Sequence, residues 1–151
     1  MTSLIAYRRV VDQITTHTLR LPDAPQGQQA AQELATLPDG RTVVALFTGH
    51  ILPTQPTAIA ASVEVLTLTD ALKEQIKSLS PQVQLIYSCT EQRIRDKYSA
   101  SDEAKFARIG VGAALGVYVF SPGEQAELMA FGAHCEAARQ WGRDERVKLG
   151  L

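Results

Sequence analysis

A chain of 151 residues, 45% of them hydrophobic, is long enough for one domain or two small lobes sharing a core, and too apolar to be disordered throughout. Fifteen Lys and Arg against sixteen Asp and Glu leave a formal net charge of −1, so there is no surplus of positive charge to drive binding to a phosphate backbone or an anionic membrane. Two cysteines, Cys89 and Cys135, are too few for a disulfide framework or an all-thiolate zinc site.

Charge and proline are unevenly spread. Residues 1–60 carry eight charged side chains and five of the seven prolines, whereas residues 61–151 carry twenty-three charges. This pattern predicts an α+β fold: a β-rich N-terminal lobe over residues 1–68, with a hairpin and further strands, then a helical region of three to four helices over residues 69–151. The N-terminus places Arg8 and Arg9 after a short apolar patch, the reverse of a secretory signal. The longest apolar run, Ile109 to Phe120, has twelve residues, and a membrane span needs about 20. The expectation is a cytoplasmic chain with no membrane insertion and reduced thiols.

Leu4 to Val11 and Ile14 to Leu21 are rich in Ile, Val, Thr and Leu, and Asp12-Gln13 between them predicts the turn of a hairpin. In the second run Thr15, His17, Leu19 and Leu21 share one face. Gln26 to Leu34 reads as a short polar helix or a loop. Leu37-Pro38-Asp39-Gly40-Arg41 is a strong turn signal, because Pro presets one backbone angle and Gly accepts the positive one. Thr42 to Phe47 follows as a strand. Leu52-Pro53-Thr54-Gln55-Pro56 is expected to be extended, since each proline disfavours helix at the residue before it. Ala61 to Leu68 alternates and predicts another strand.

Helical signals follow. Thr69 caps a predicted helix over Asp70 to Leu79, with Leu72, Ile76 and Leu79 on one face. Ser80-Pro81 joins an N-cap to a proline at the first helical position. The helix it starts runs to about Tyr98, with a stripe of Val83, Ile86 or Tyr87, Thr90, Ile94 and Tyr98. Ser99-Ala100-Ser101-Asp102 is a capping-box pattern launching a helix that carries Phe106 and Ile109. Ser121-Pro122-Gly123-Glu124 is a second one. It predicts a helix from Pro122 to Lys148 with a stripe of Ala126, Met129 or Ala130, Ala133, Ala137 and Trp141 or Gln140, ended by Gly150.

The residues able to carry chemistry do not assemble into a signature. Gly110-Val111-Gly112-Ala113-Ala114-Leu115-Gly116 follows a predicted helix and has no Lys-Ser/Thr pair, so it is not a phosphate loop. Its small residues let two helices approach closely or end one helix. His17, His50 and His134 are scattered; His134 and Cys135 are adjacent, roughly 100° apart on a helix. Cys135 is readable as a nucleophile awaiting a histidine or, more ordinarily, as a small core residue. Arg93, Arg95, Lys97, Lys105 and Arg108 are interleaved with Glu91, Asp96, Asp102 and Glu103, and pairs such as Glu91–Arg95 predict a solvated face rather than a nucleic-acid stripe. Trp141, the only tryptophan, stands between Arg139 and Arg143 as an interface anchor or a core staple. With Phe131, these three form the candidate interface residues.

Several phrases occur in a fixed order: Thr36-Leu37-Pro38-Asp39-Gly40-Arg41 with Thr42 to Leu46, Leu52-Pro53 with Gln55-Pro56, Leu66 to Thr69, and Ile76 to Pro81. Gln92-Arg93-Ile94-Arg95-Asp96-Lys97-Tyr98-Ser99 with Asp102-Glu103, Arg139 to Arg143, and Leu149-Gly150-Leu151 complete it. Over roughly residues 36–151 this order resembles a group of small proteins encoded in tail gene clusters of tailed, notably Mu-like, bacteriophages and prophages. The resemblance implies a non-enzymatic structural protein of the tail, baseplate or fibre, or a fibre-assembly chaperone missing from the mature virion. It implies other tail or fibre proteins as partners and a homo-oligomer, trimeric or hexameric, since rings and fibres use cyclic symmetry. No cofactor, metal, nucleic acid or small-molecule substrate is expected. The protein would reside in the bacterial host cytoplasm during assembly, and in the virion tail if structural.

Overall fold

The computed structural model describes residues 2–24, 26–27 and 29–151. The described elements, in order, are β1 (Ser3–Arg8), β2 (Val10–Asp12), β3 (Thr15–His17), β4 (Gln32–Thr36), β5 (Arg41–Leu46), α1 (Thr57–Ala60), β6 (Glu64–Val65), α2 (Asp70–Leu79), α3 (Pro81–Arg95), α4 (Ala100–Ala114) and α5 (Glu124–Lys148). The class is α+β, with antiparallel strands first and four helices after them. The last described strand ends at Val65 and the long helices begin at Asp70, and compactness divides the chain elsewhere. One unit comprises Met1–Leu85 with Arg146–Leu151, the other Ile86–Glu145.

In the first unit a four-stranded antiparallel sheet has the order β4-β5-β1-β6. β1 runs against β5 over six pairs, from Ser3↔Leu46 to Arg8↔Arg41. Leu4, Ile5, Ala6 and Tyr7 are all buried, because a central strand is covered on both faces, which is why its alternation is weak in sequence. Ile5, Tyr7 and Val44 pack with Leu19 and Ile59 on one face. Leu4, Ala6, Val43 and Ala45 point to the other. Burying each of Leu4, Ile5, Val43 and Val44 contributes about 1.5–3 kcal/mol, so this strand pair anchors the unit.

The predicted hairpin forms, but its turn lies one residue later. Asp12 pairs with Thr15, so Gln13-Ile14 is the loop; Gln13 adopts φ +36 and Ile14 stands in solvent. β2 and β3 make a separate two-stranded ribbon, and the first run finds its main partner in β5 instead of in its neighbour. Past His17 the second run is held by a side chain: Gln55 accepts from the Arg20 N–H at 2.8 Å and donates to the Arg20 carbonyl at 2.8 Å. The amide thus imitates a strand.

Of the two readings of Gln26 to Leu34, the described residues before Gln32 take the loop, and from Gln32 the chain is the edge strand β4, with a bulge between Glu33 and Ala35. Gln28 lies outside the described residues. Backbone pairing to β5 overrides the helical propensity of its Gln, Ala and Glu residues. The turn at residues 37–41 forms as predicted. The Gly40 N–H donates to the Leu37 carbonyl (2.9 Å) and the Leu37 N–H to the Arg41 carbonyl (2.7 Å), with Gly40 at φ +84. Of the expected strand at Ala61 to Leu68 only Glu64–Val65 pairs with β1. Residues 61–63 continue the α1 turn, and the Ser62 hydroxyl accepts the Arg8 N–H at 3.0 Å in place of a strand partner.

The caps at Thr69 and Ser80 follow the sequence. Thr69 Oγ1 accepts the Leu72 N–H (3.2 Å), and the buried Ser80 hydroxyl accepts that of Val83 (3.4 Å). α2 buries Ile76 but leaves Leu79 44% exposed. At the far end Gly150 closes α5 at φ +84: its N–H donates to Val147, and that of Leu151 to Arg146, both 3.0 Å. Leu149 and Leu151 are buried, and Gly150 lies against Leu4 of β1.

Candidate assembly surface

The helical unit is built from the second part of α3, α4 and α5. Ser99 opens α4 with a complete capping box: its hydroxyl accepts the Asp102 N–H (3.1 Å), and the Asp102 carboxylate accepts the Ser99 N–H (2.8 Å). The Ser99 hydroxyl, which also donates to the Asp102 carboxylate at 2.7 Å, and then the Ser99 N–H hold the Asp102 carboxyl below its ordinary range. An aromatic cluster follows. Phe106 stacks on Phe131 at 4.9 Å between centroids, and Tyr98 meets both rings edge-on. Ile86, not Tyr87, joins the inward face of α3.

The covered seam of α5 is Leu128, Phe131, Cys135, Ala138 and Gly142, spaced three and four residues apart. This corrects the expected stripe. Ala126, Met129, Ala130, Ala133 and Ala137 all face solvent, because larger side chains on the opposite side bury more apolar area than alanines can. The helix also starts at Glu124, since Gly123 at φ +95 is not helical.

The candidate interface residues fall in different settings. Phe131 is half-buried in the aromatic cluster. Trp141 is half-buried beneath the Arg93 guanidinium, 4.0 Å from the ring centroid. Arg143 is exposed and pairs within its own helix with Glu136 and Gln140. Arg139 lines a groove of about 450 Å³ with Glu103, Phe106, Leu128, Phe131 and Cys135. Two members of the basic cluster are ion-paired, but not as the i, i+4 spacing predicts: Arg95 meets Glu103 at 2.9 Å and Lys105 meets Glu127 at 3.5 Å, while Arg93 and Lys97 lie over the Trp141 and Tyr98 rings.

Cys135 is buried, and burial pushes its thiol pKa up, away from nucleophilic chemistry. His134 turns elsewhere, its Nε2–H donating to the Arg93 carbonyl at 2.9 Å. Glu103 shares the groove with the thiol. His17 is exposed in β3, and both nitrogens of His50 are buried without a hydrogen-bond partner among the described residues.

The most conspicuous surface feature is the tip between α4 and α5. Leu115 is 72% exposed, Val117 79% and Val119 89%. A connecting loop is ordinarily polar, and an apolar cluster of this kind marks an interaction site. The tip is also firmly built. Gly116 at φ +71 ends α4, its N–H donating to Ala113 and that of Val117 to Gly112, each at 3.0 Å. Tyr118 rests on Gly112, where even a methyl group would lie 2.9 Å from its Cβ. The Tyr118 hydroxyl donates to the Glu124 carboxylate (2.9 Å), which also accepts the Ser121 N–H (2.7 Å). Those bonds, Ser121 foremost, keep the Glu124 carboxyl below its usual range.

Comparison of the chain with protein-family models, curated proteins and solved structures finds no match. The surface is therefore read from its own residues. In sequence the tip registers only as the longest apolar run. The signal that identifies it is position: apolar residues between a helix-ending glycine and a capping serine have no helix face on which to hide. Among the described residues, no helix is long and apolar enough to cross a membrane.

Proposed function

We propose that this protein is a non-enzymatic, tail-associated structural component of a tailed bacteriophage or prophage, acting through protein–protein assembly. The observation that carries this reading is the firmly held apolar tip, Leu115 to Val119. Capping bonds, a glycine seat and a Tyr–Glu hydrogen bond keep valines in water, which is costly in an isolated chain and useful in an assembled one. The ordered phrases over residues 36–151 support the tail assignment. Its partners are other tail or fibre proteins, met in the host cytoplasm and retained in the virion tail.

The test is mass spectrometry of purified particles, with the chain intact or carrying Val117→Asp and Val119→Asp. Its presence in particles, lost in the variant, is the expected result. Presence on immature fibres but not in particles would make it an assembly chaperone. Absence from both would overturn the reading.

A further inference from the structure

We infer that the tip of one copy seats in the groove of a second copy, giving a head-to-tail contact. This inference rests on the assembly reading above and names the partner. The chain carries both halves of the contact within its helical unit. The groove is walled by Phe106, Leu128 and Phe131, and its volume of about 450 Å³ admits the side chains of Val117 and Val119. Gly132 keeps it open: nothing lies within 4 Å of where its Cβ would be. The high exposure of both valines shows that a chain's own tip does not fill its own groove.

Charge favours the same pairing. Arg139, exposed on the groove, forms no ion pair among the described residues, while Glu103 is already engaged by Arg95. The tip leads directly into the start of α5, where Glu124, bonded to the uncharged Tyr118 hydroxyl and Ser121 N–H, keeps its negative charge, while Glu127 lies 3.5 Å from Lys105. An apolar knob trailed by the Glu124 carboxylate therefore meets an apolar slot bordered by a free guanidinium. A tip of a few residues covers less than the ~800 Å² per partner of a standard stable interface. One contact is accordingly weak, and stability comes from each copy using its tip and its groove at once. Because tip and groove are different surfaces, the contact is heterologous and closes into a ring or continues as a fibre.

Complementation tests this. The full chain is examined by light scattering over roughly a hundredfold range of concentration, where mass action reveals weak association. Wild type should rise above the mass of a monomer, 16.4 kDa. Val117→Asp with Val119→Asp removes the knob; Gly132→Leu fills the slot, and Arg139→Glu reverses its charge without touching Gly132. Each should be monomeric, with circular dichroism and Trp141 fluorescence unchanged. Mixing the tip variant with the Gly132→Leu variant should restore one sound contact and yield a dimer.

Persistent oligomers in both groove variants, with the tip variant left monomeric on mixing, would mean a tip-to-tip contact and overturn the inference. A wild type monomeric at every concentration would overturn it too. If the tip variant nonetheless loses its place in particles, the assembly reading stands while this one fails.

Discussion

Replacing Gly112 by Ala sets two effects against each other. Inside a helix Ala is favoured over Gly by about 1 kcal/mol. At Gly112, however, the new methyl group would stand 2.9 Å from Tyr118 Cβ and 3.7 Å from its Cγ. Carbon atoms prefer about 3.5–4.0 Å. Tyr118 has little freedom to retreat: its own N–H and that of Val117 both donate to the Gly112 carbonyl, at 3.1 and 3.0 Å, and its hydroxyl is bonded to Glu124. Overpacking of this kind costs roughly 1–3 kcal/mol, so the net change is a destabilisation of about 0–2 kcal/mol. Gly132 supplies the reference, since Ala there meets nothing within 4 Å and should stabilise by about 1 kcal/mol. Urea unfolding followed by Trp141, the chain's only tryptophan and a member of the same compact unit, measures both. The Gly132→Ala midpoint should rise and the Gly112→Ala midpoint should lie below it by the equivalent of ~1–3 kcal/mol. Equal midpoints would refute the seating of Tyr118 on Gly112 and, with it, the firmness of the tip.

Other expectations follow from the same geometry. Gly116→Ala should cost about 1–2 kcal/mol, the strain of a left-handed residue in open space, and Gly150→Ala should cost more, because its Cβ also meets Leu4 and Thr2 carbons at 3.4 Å; thermal unfolding ranks the two, and the reverse order would contradict the packing of residue 150. Arg93→Ala should red-shift Trp141 emission and lower stability by about 0.5–1 kcal/mol, the usual strength of an exposed cation–π contact; an unmoved spectrum would show that Arg93 does not cover the ring. Asp102 and Glu124 have carboxyl pKa values lowered in the folded chain by bonds from Ser99 and Ser121 respectively, so their contribution is present above the unfolded value, about pH 4, and is lost as pH falls through the folded one. Asp102→Asn with Glu124→Gln should therefore flatten the acid side of the stability profile, and an unchanged slope would argue against these caps.

Features set by neighbouring residues were readable from the chain; those decided by distant ones were not. The caps at Thr69, Ser80 and Ser99 and the turn at Gly40 each involve residues within four positions of one another. By contrast, β1 chooses β5, whose residues lie about 40 positions away, and nothing local to Leu4–Tyr7 distinguishes that partner from the adjacent run at Ile14. Gln32–Thr36 became a strand because β5 offered an unpaired edge. The buried face of α5 is not decided by its alanines, which occur on both of its sides; the position of Leu128 and Phe131 shows which side has enough carbon to bury. Trp141 and Phe131 were legible as large anchors, yet each is half engaged inside its own unit. The tip was visible only as composition; its shape needs Gly112, Tyr118 and Glu124 together.

The burial of Leu149 and Leu151, with Thr2 Oγ1 donating to the Lys148 carbonyl at 2.6 Å, ties the start of β1 to residues some 140 positions further along the chain. A contact of such sequence separation closes a long loop and forms late, whereas the helices, whose contacts are mostly local, are able to fold before it. Removing Leu149 to Leu151 would leave every described strand in place and take away the contact of Gly150 with Leu4 of β1.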